Sequence, residues 1–317
     1  MNIYKKIIHQ IENHDTIILH RHERPDMDAV GSQYGLALIL RENFPNKRIY
    51  VVGDINDMVY KAKMDTVEDS EFRNALVIIT DVSIAKMVSD DRYKLAKTRI
   101  IIDHHQNETN IDDVYLCYKN PTYGSACELI IELAKNTKLR ITPEAATYLF
   151  GGMVTDTGRF MFLNNPSKTF ELASYISRFN PNIQDFYDYI YTEPLIKRQA
   201  KNLFSNFELT ENNVAYRKND AEVVRKSGLD FQSISRGMVN QMAGIKEVKI
   251  WANFTEDEEN NEVVCEFRSR GITIVDIAKK YGGGGHNNAC GATVKDFDIV
   301  DKILIDLDER AKKHGNI

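Results

Sequence analysis

In the first half of the chain, short apolar runs alternate with segments whose apolar residues fall on one side of a helix. Thr16–Leu19, Arg48–Val52, Ala75–Thr80, Arg99–Ile102 and a short run over Val114–Tyr118 read as strands. Between them, Ala29, Tyr34, Leu36, Ala37, Leu40 and Phe44 recur at helical spacing, as do Leu129, Ile130, Leu133 and Ala134 within Ala126–Asn136. Thr142 is placed to cap a further helix, with Pro143 at its first position and Glu144 next. This alternation predicts an α/β fold, a mostly parallel sheet with helices on both faces.

From Phe170 to Gln199 the pattern turns helical and aromatic, broken by Pro181 and Pro194. Residues 182–198 therefore read as a structured linker, because a flexible one would not carry so many large apolar side chains. Strand-like segments resume at Phe207–Leu209 and Val214–Arg217. Val248–Phe254 and Glu262–Ser269 flank an acidic turn as a hairpin, and helices follow at Ile274–Tyr281 and about Ile299–Lys312. The expected organisation is a first domain over 1–181 and a smaller α/β domain over 199–317, in keeping with a length of 317 residues.

Composition narrows the function. Hydrophobic content of 43% and charged content of 27% are those of a soluble globular protein, and no apolar run reaches a membrane span. The first residues lack the apolar core of a secretory signal, so the expected location is cytoplasmic, with no membrane partner. A net charge of −5 argues against long nucleic acid, which needs a basic stripe, but not against small anions. Homodimerisation is compatible with the sequence. Cys117, Cys127, Cys265 and Cys290 show no metal-binding spacing and read as reduced, buried thiols; Cys290 invites a redox question because it follows His286 by four residues.

The chemistry concentrates in four clusters: His22-Glu23-Arg24-Pro25-Asp26-Met27-Asp28, then Asp81, then Asp103-His104-His105, then Asp156. The first three directly follow predicted strands, and ligands of open α/β sheets bind beyond the carboxyl ends of strands. Each cluster has an ordinary reading: Asp26 and Asp28 can cap a helix, and Asp81 can be a turn residue. Three ionisable residues ending a buried strand are harder to explain without a ligand. Five carboxylates brought together would repel unless cations sit among them. Imidazole and carboxylate without thiolate suit manganese, iron or magnesium, and a two-metal centre points to phosphoryl chemistry. A second constellation pairs Arg268, Ser269 and Arg270 with Gly282–His286, whose glycines let backbone N–H groups approach an anion. Arg270 reads as a solvated strand-end residue. Tyr123, Phe160, Phe162 and Tyr281 could stack on a base, though each reads first as core; Ser125 could contact phosphate or simply cap a helix.

The series H-x-x-x-D-x-D-A, a lone Asp after a strand, D-H-H, T-D-T-G and a distant G-G-G-G-H resembles the DHH/DHHA1 phosphoesterases across nearly the whole chain, in order. Within that family it is most similar to the bifunctional oligoribonucleases and 3′-phosphoadenosine 5′-phosphate (pAp) phosphatases. The resemblance implies two manganese ions, with cobalt or magnesium as substitutes. His22, Asp26 and Asp81 would hold one; Asp28, Asp81, His104 and Asp156 would hold the other. Asp103 would orient a histidine, and His105 would face the substrate phosphate as a catalytic group beside Asp81. Arg268, Ser269, Gly283, Gly284, Gly285 and His286 would grip the far end of a nucleotide. Met27 departs from the small residue, such as glycine, that many relatives carry. The implied substrates are short oligoribonucleotides and pAp. The alternatives are linear or cyclic dinucleotides such as pApA or cyclic-di-AMP and, more remotely, pyrophosphate or polyphosphate, or a non-catalytic role as nucleotide sensor.

Overall fold

The computed structural model describes residues 2–55 and 60–314. The chain divides into two compact units, Met1–Tyr191 and Thr192–Ile317.

The first unit is built on a five-stranded, all-parallel sheet: β1 Thr16–His20, β2 Arg48–Val51, β3 Leu76–Thr80, β4 Thr98–Asp103 and β5 Val114–Lys119, in the order β2-β1-β3-β4-β5. β1 and β3 are buried at every residue, as their unbroken apolar runs require of a sheet covered on both faces. The two coverings differ. Ile17, Leu19, Leu76, Ile78, Ile100 and Ile102 face long helices that include Met27–Asn43, Ala126–Thr137 and Pro143–Asp156. Ile18, Val77, Ile79 and Ile101 pack instead on Phe72, Tyr93 and neighbours from a four-residue helix and short 3-10 turns. Thr142 caps its helix as expected, accepting from the Ala145 N–H at 3.2 Å, with Pro143 in the first turn. The later helix Ile183–Tyr191 is anchored on this unit by Phe186, which is fully buried against Tyr148 and Phe150.

The second unit carries a six-stranded mixed sheet. Its strands are β6 Glu208–Leu209, β7 Val214–Asn219, β8 Ile250–Asp257, β9 Glu262–Ser269, β10 Gly284–His286 and β11 Ala289–Val294, in the order β10-β11-β9-β8-β7-β6. β8 and β9 form the expected hairpin, with Asp257 opposite Glu262. Helices Val275–Lys280 and Phe297–His314 supply Ile277, Val300, Ile303 and Leu307 to the core beneath.

Part of the glycine run is regular: Gly284–His286 is an edge strand, with Gly284 opposite Gly291 and His286 opposite Ala289. Arg270 is exposed but not idle, because its Nη2 donates to the carbonyls of Ile245, Lys246 and Val248 at 3.1, 2.9 and 3.4 Å and ties down that turn. No described helix is long and apolar enough to cross a membrane.

Candidate metal centre

The strand order reverses between β1 and β3, the point at which open α/β sheets leave a crevice beyond their carboxyl ends. His22 follows β1, Asp81 follows β3, and Asp103, His104 and His105 end β4. Asp156 arrives differently, as the last residue of helix Pro143–Asp156. Three overlapping groups result, each with ligand atoms within 4.8 Å of one another: His22, Asp26 and Asp81; Asp28, His104 and Asp156; and Asp81, His104 and His105.

Asp81 stands at the middle. Its Oδ2 lies 3.4 Å from His22 Nε2 and its Oδ1 3.4 Å from His104 Nε2. His104 Nε2 is also 3.3 Å from Asp156 Oδ2 and 3.8 Å from Asp28 Oδ2, and His22 Nε2 is 3.8 Å from Asp26 Oδ1. Asp81 adopts a left-handed backbone (φ 60°), which Asp tolerates better than most residues and which marks functional sites.

Backbone groups fix several of these side chains. Asp28 accepts from the N–H groups of Ala126 at 2.6 Å and Cys127 at 2.9 Å, so the positive end of helix Ala126–Thr137 holds it. Ser125 is the cap of that helix, its Oγ accepting from the Glu128 N–H, which settles its alternative reading. Asp26 caps helix Met27–Asn43 through the N–H groups of Asp28 and Ala29 while facing His22, so the capping and clustering readings are both true of it. The Nδ1 atoms of His22 and His104 lie 2.7 Å from Glu23 O and 3.4 Å from Tyr123 O, leaving both Nε2 atoms toward the cluster.

Electrostatics describe a site short of positive charge. Burial, then the nearby Asp81 and Asp156 carboxylates, push the Asp28 carboxyl well above its ordinary range; burial chiefly raises Asp156 to about 6. Burial alone would discharge His22 and His104. The Asp26 and Asp81 carboxylates facing His22, and the Asp81, Asp28 and Asp156 carboxylates facing His104, raise both instead to about 10. Without cations, protons neutralise the cluster. Asp81 Oδ1 is buried and has no hydrogen-bond partner, an arrangement that is costly unless a cation meets it. Imidazole nitrogens and carboxylate oxygens at this spacing fit divalent metal.

Lys119 escaped the sequence reading. It lies on β5 and donates to Asp103 Oδ2 at 2.8 Å and Ser83 Oγ at 2.6 Å, while Asp103 Oδ1 accepts from His105 Nδ1 at 2.8 Å. Burial opposes the ionised Asp103, but the bonds from His105, Lys119 and Ser83 hold its carboxyl far below the usual range. A lysine at the far end of an edge strand carries no motif to announce it.

In the second unit, Arg268 and Gly283–His286 line a cavity of about 560 Å³. Ser269 does not line it. It is buried, with its Oγ donating to Ile272 O and accepting from Asn288 Nδ2, so it shapes the turn after β9. Arg236 and Glu266 do line it: Glu266 Oε1 is 3.4 Å from Arg236 Nε and Oε2 is 3.0 Å from Arg268 Nη1. Burial raises the Cys290 thiol to about 11, which leaves it unreactive. Cys117 is exposed, contrary to the expectation of four buried thiols. Of the four aromatics, Tyr123 is core, Phe160 packs against the core, Tyr281 bonds Asp306, and Phe162 is exposed.

Comparison with known proteins places both units of the chain in described domain families. Residues 16–153 match the DHH family, N-terminal domain, and residues 223–313 match the DHHA1 domain. The chain is 34% identical to the bifunctional oligoribonuclease and PAP phosphatase NrnA of Bacillus subtilis, covering 98% of this chain and 99% of that one. It is 32% identical to the protein of the same description from Mycoplasma genitalium, covering 94% and 95%. The crystal structure of an exopolyphosphatase-related protein from Bacteroides fragilis shares the fold, with a TM-score of 0.79 at 23% identity, over 98% of this chain and 96% of that one. The chain belongs to the DHH/DHHA1 family of phosphoesterases.

Proposed function

We propose that the protein is a two-manganese phosphoesterase that degrades short oligoribonucleotides to mononucleotides and converts pAp to AMP in the cytoplasm. The observation that carries the reading is Asp81, whose two oxygens face His22 and His104 on opposite sides. In this reading Asp81 would be shared by two ions; His22 and Asp26 would help hold one, and Asp28, His104 and Asp156 the other. The oligoribonuclease and PAP phosphatase relatives, aligned over nearly the whole chain, support the substrate class. Manganese is the preferred ion, with cobalt or magnesium giving partial activity.

When bound, such ions polarise phosphoryl oxygens and make water a better nucleophile at neutral pH. The side chains do the rest. Asp103 accepts the proton of His105 Nδ1 and so directs the other ring nitrogen outward from a half-exposed imidazole. That Nε2 presents a proton to the leaving oxygen as the bond to phosphorus breaks. Lys119 keeps Asp103 ionised and in place. In the second unit Arg268 has Nη1 occupied by Glu266 and Phe267 O, leaving the rest of its fork for a phosphate, while Gly283–Gly285 leave room beside His286.

The test is a rate comparison on the full chain with manganese, using pAp, pApA, a trinucleotide, a long RNA, cyclic-di-AMP and pyrophosphate. The expected result is fastest release of AMP or mononucleotide from pAp and the short RNAs, and none after chelation. Pyrophosphate or long RNA as the best substrate, or turnover that survives chelation, would overturn the reading.

A further inference from the structure

Two residues beyond Asp156 the backbone does something costly. Gly158, Arg159 and Phe160 adopt left-handed φ values of 57°, 61° and 66° in succession. Glycine accepts this freely; a bulky aromatic residue in that region is a conformational outlier. The strain is held in place by Thr157, which is fully buried. Its Oγ1 accepts from the Phe160 N–H at 3.1 Å, and its carbonyl accepts from the Phe162 N–H at 2.9 Å. Arg159 N–H donates to Val154 O at 2.7 Å, and Asn164 tethers the far side of the loop to Pro121 O at 3.3 Å. Strain that the surroundings over-determine in this way points to function.

The loop displays an unusual set of side chains. Phe162 is 69% exposed and Met161 62%, although both are large and apolar. Phe162 is nonetheless braced: a Cβ on Gly158 would come within 2.5 Å of its Cδ2, so the ring packs against the one residue there that has no side chain. The Arg159 guanidinium is exposed and makes no hydrogen bond or ion pair among the described residues. Phe160 is the member of the set turned inward, beside Phe170 at 5.6 Å between centroids. An exposed aromatic side chain braced on Gly158, with an exposed arginine three residues earlier on the same loop, chained to a cluster residue, matches a base linked to a phosphate. Aromatic rings bind bases through their π-faces, and arginine meets phosphate oxygens in pairs.

We propose that Gly158–Phe162 is a base platform, on which Phe162 stacks against the nucleobase of the substrate while Arg159 takes an adjoining phosphate. The inference rests on the reading of the protein as a nucleotide phosphoesterase and adds the residues that choose a base-bearing substrate. Because the strained loop is short and rigid, it favours purines, whose larger face covers more of the ring.

The test uses a phosphorothioate dinucleotide carrying 2-aminopurine, whose fluorescence is quenched on stacking, titrated into the full chain with manganese. Phe162→Ala should bind roughly ten-fold more weakly and lose the quenching, and Phe162→Tyr should restore both. An abasic dinucleotide should bind the wild type and Phe162→Ala alike. Equal binding and quenching by wild type and Phe162→Ala would overturn the platform, as would a wild type that binds without quenching or does not bind. Phe162-dependent quenching by a wild type that hydrolyses no nucleotide would keep the platform and sink the enzymatic reading.

Discussion

The two units make their sites by opposite means. In the first, function is added as side chains: aspartates and histidines delivered by strand ends and a helix end, several of them then fixed by a backbone amide, a carbonyl or a partly buried lysine. In the second, function is made by subtraction. A Cβ on Gly283 would collide with the carbonyl of Gly291 and come within 2.7 Å of Ala292, so this wall of the cavity can lie so close to β11 only because the side chain is missing there. A site of the first kind fails when charge is lost; a site of the second kind fails when bulk is gained.

That contrast can be broken by experiment. Asp81→Asn keeps the size and the tolerance for left-handed backbone but removes the charge. It should abolish turnover and lower manganese content measured by elemental analysis, with the fold intact by circular dichroism. Near-normal turnover at saturating manganese would refute the bridging role. Gly283→Ala should destabilise the protein by about 1–3 kcal/mol and block nucleotide binding, yet leave manganese content unchanged. Arg268→Ala and His286→Ala should each weaken nucleotide binding by about 1.5–3 kcal/mol, again without metal loss. If metal disappears in step with activity in those variants, the proposed division of labour fails.

The gentlest probe is pH. His22 and His104, raised to about 10, carry protons at neutral pH in the metal-free protein, and Asp28 and Asp156 are also raised. Cations must displace those protons, so manganese affinity should rise with pH and fall as pH drops, by about ten-fold per pH unit for each proton released. Calorimetry in buffers of different ionisation enthalpy reads the number of protons directly. Binding that releases none would contradict the protonated cluster.

Much of this was legible before any coordinates. Unbroken apolar runs such as Leu76–Thr80 can only be buried strands, and polar residues at their ends must then share one edge. The sequence could not reveal partners set by register across strands. Lys119 reaches Asp103 because β5 lies beside β4, and Glu266 on β9 meets Arg236 at the end of the short helix Phe231–Ser235, a pairing with no characteristic spacing. Ser269 misled because its neighbour Arg268 does line the cavity, and adjacent residues of a strand point to opposite faces.

Gly152 carries a consequence that reaches beyond the site. A Cβ there would collide with Cys127 Sγ and approach Asp28 Oδ1 to 2.8 Å, in a spot where three helices are already in contact. Gly152 bears no charge, donates to no ligand and belongs to none of the three ligand groups. A screen for loss of function would still recover Gly152→Ala alongside the aspartates, because pushing the helices apart moves Asp28 off the two amides that hold it. Heritable inactivity, in this protein, does not by itself identify chemistry; it also maps the places where the scaffold has no slack.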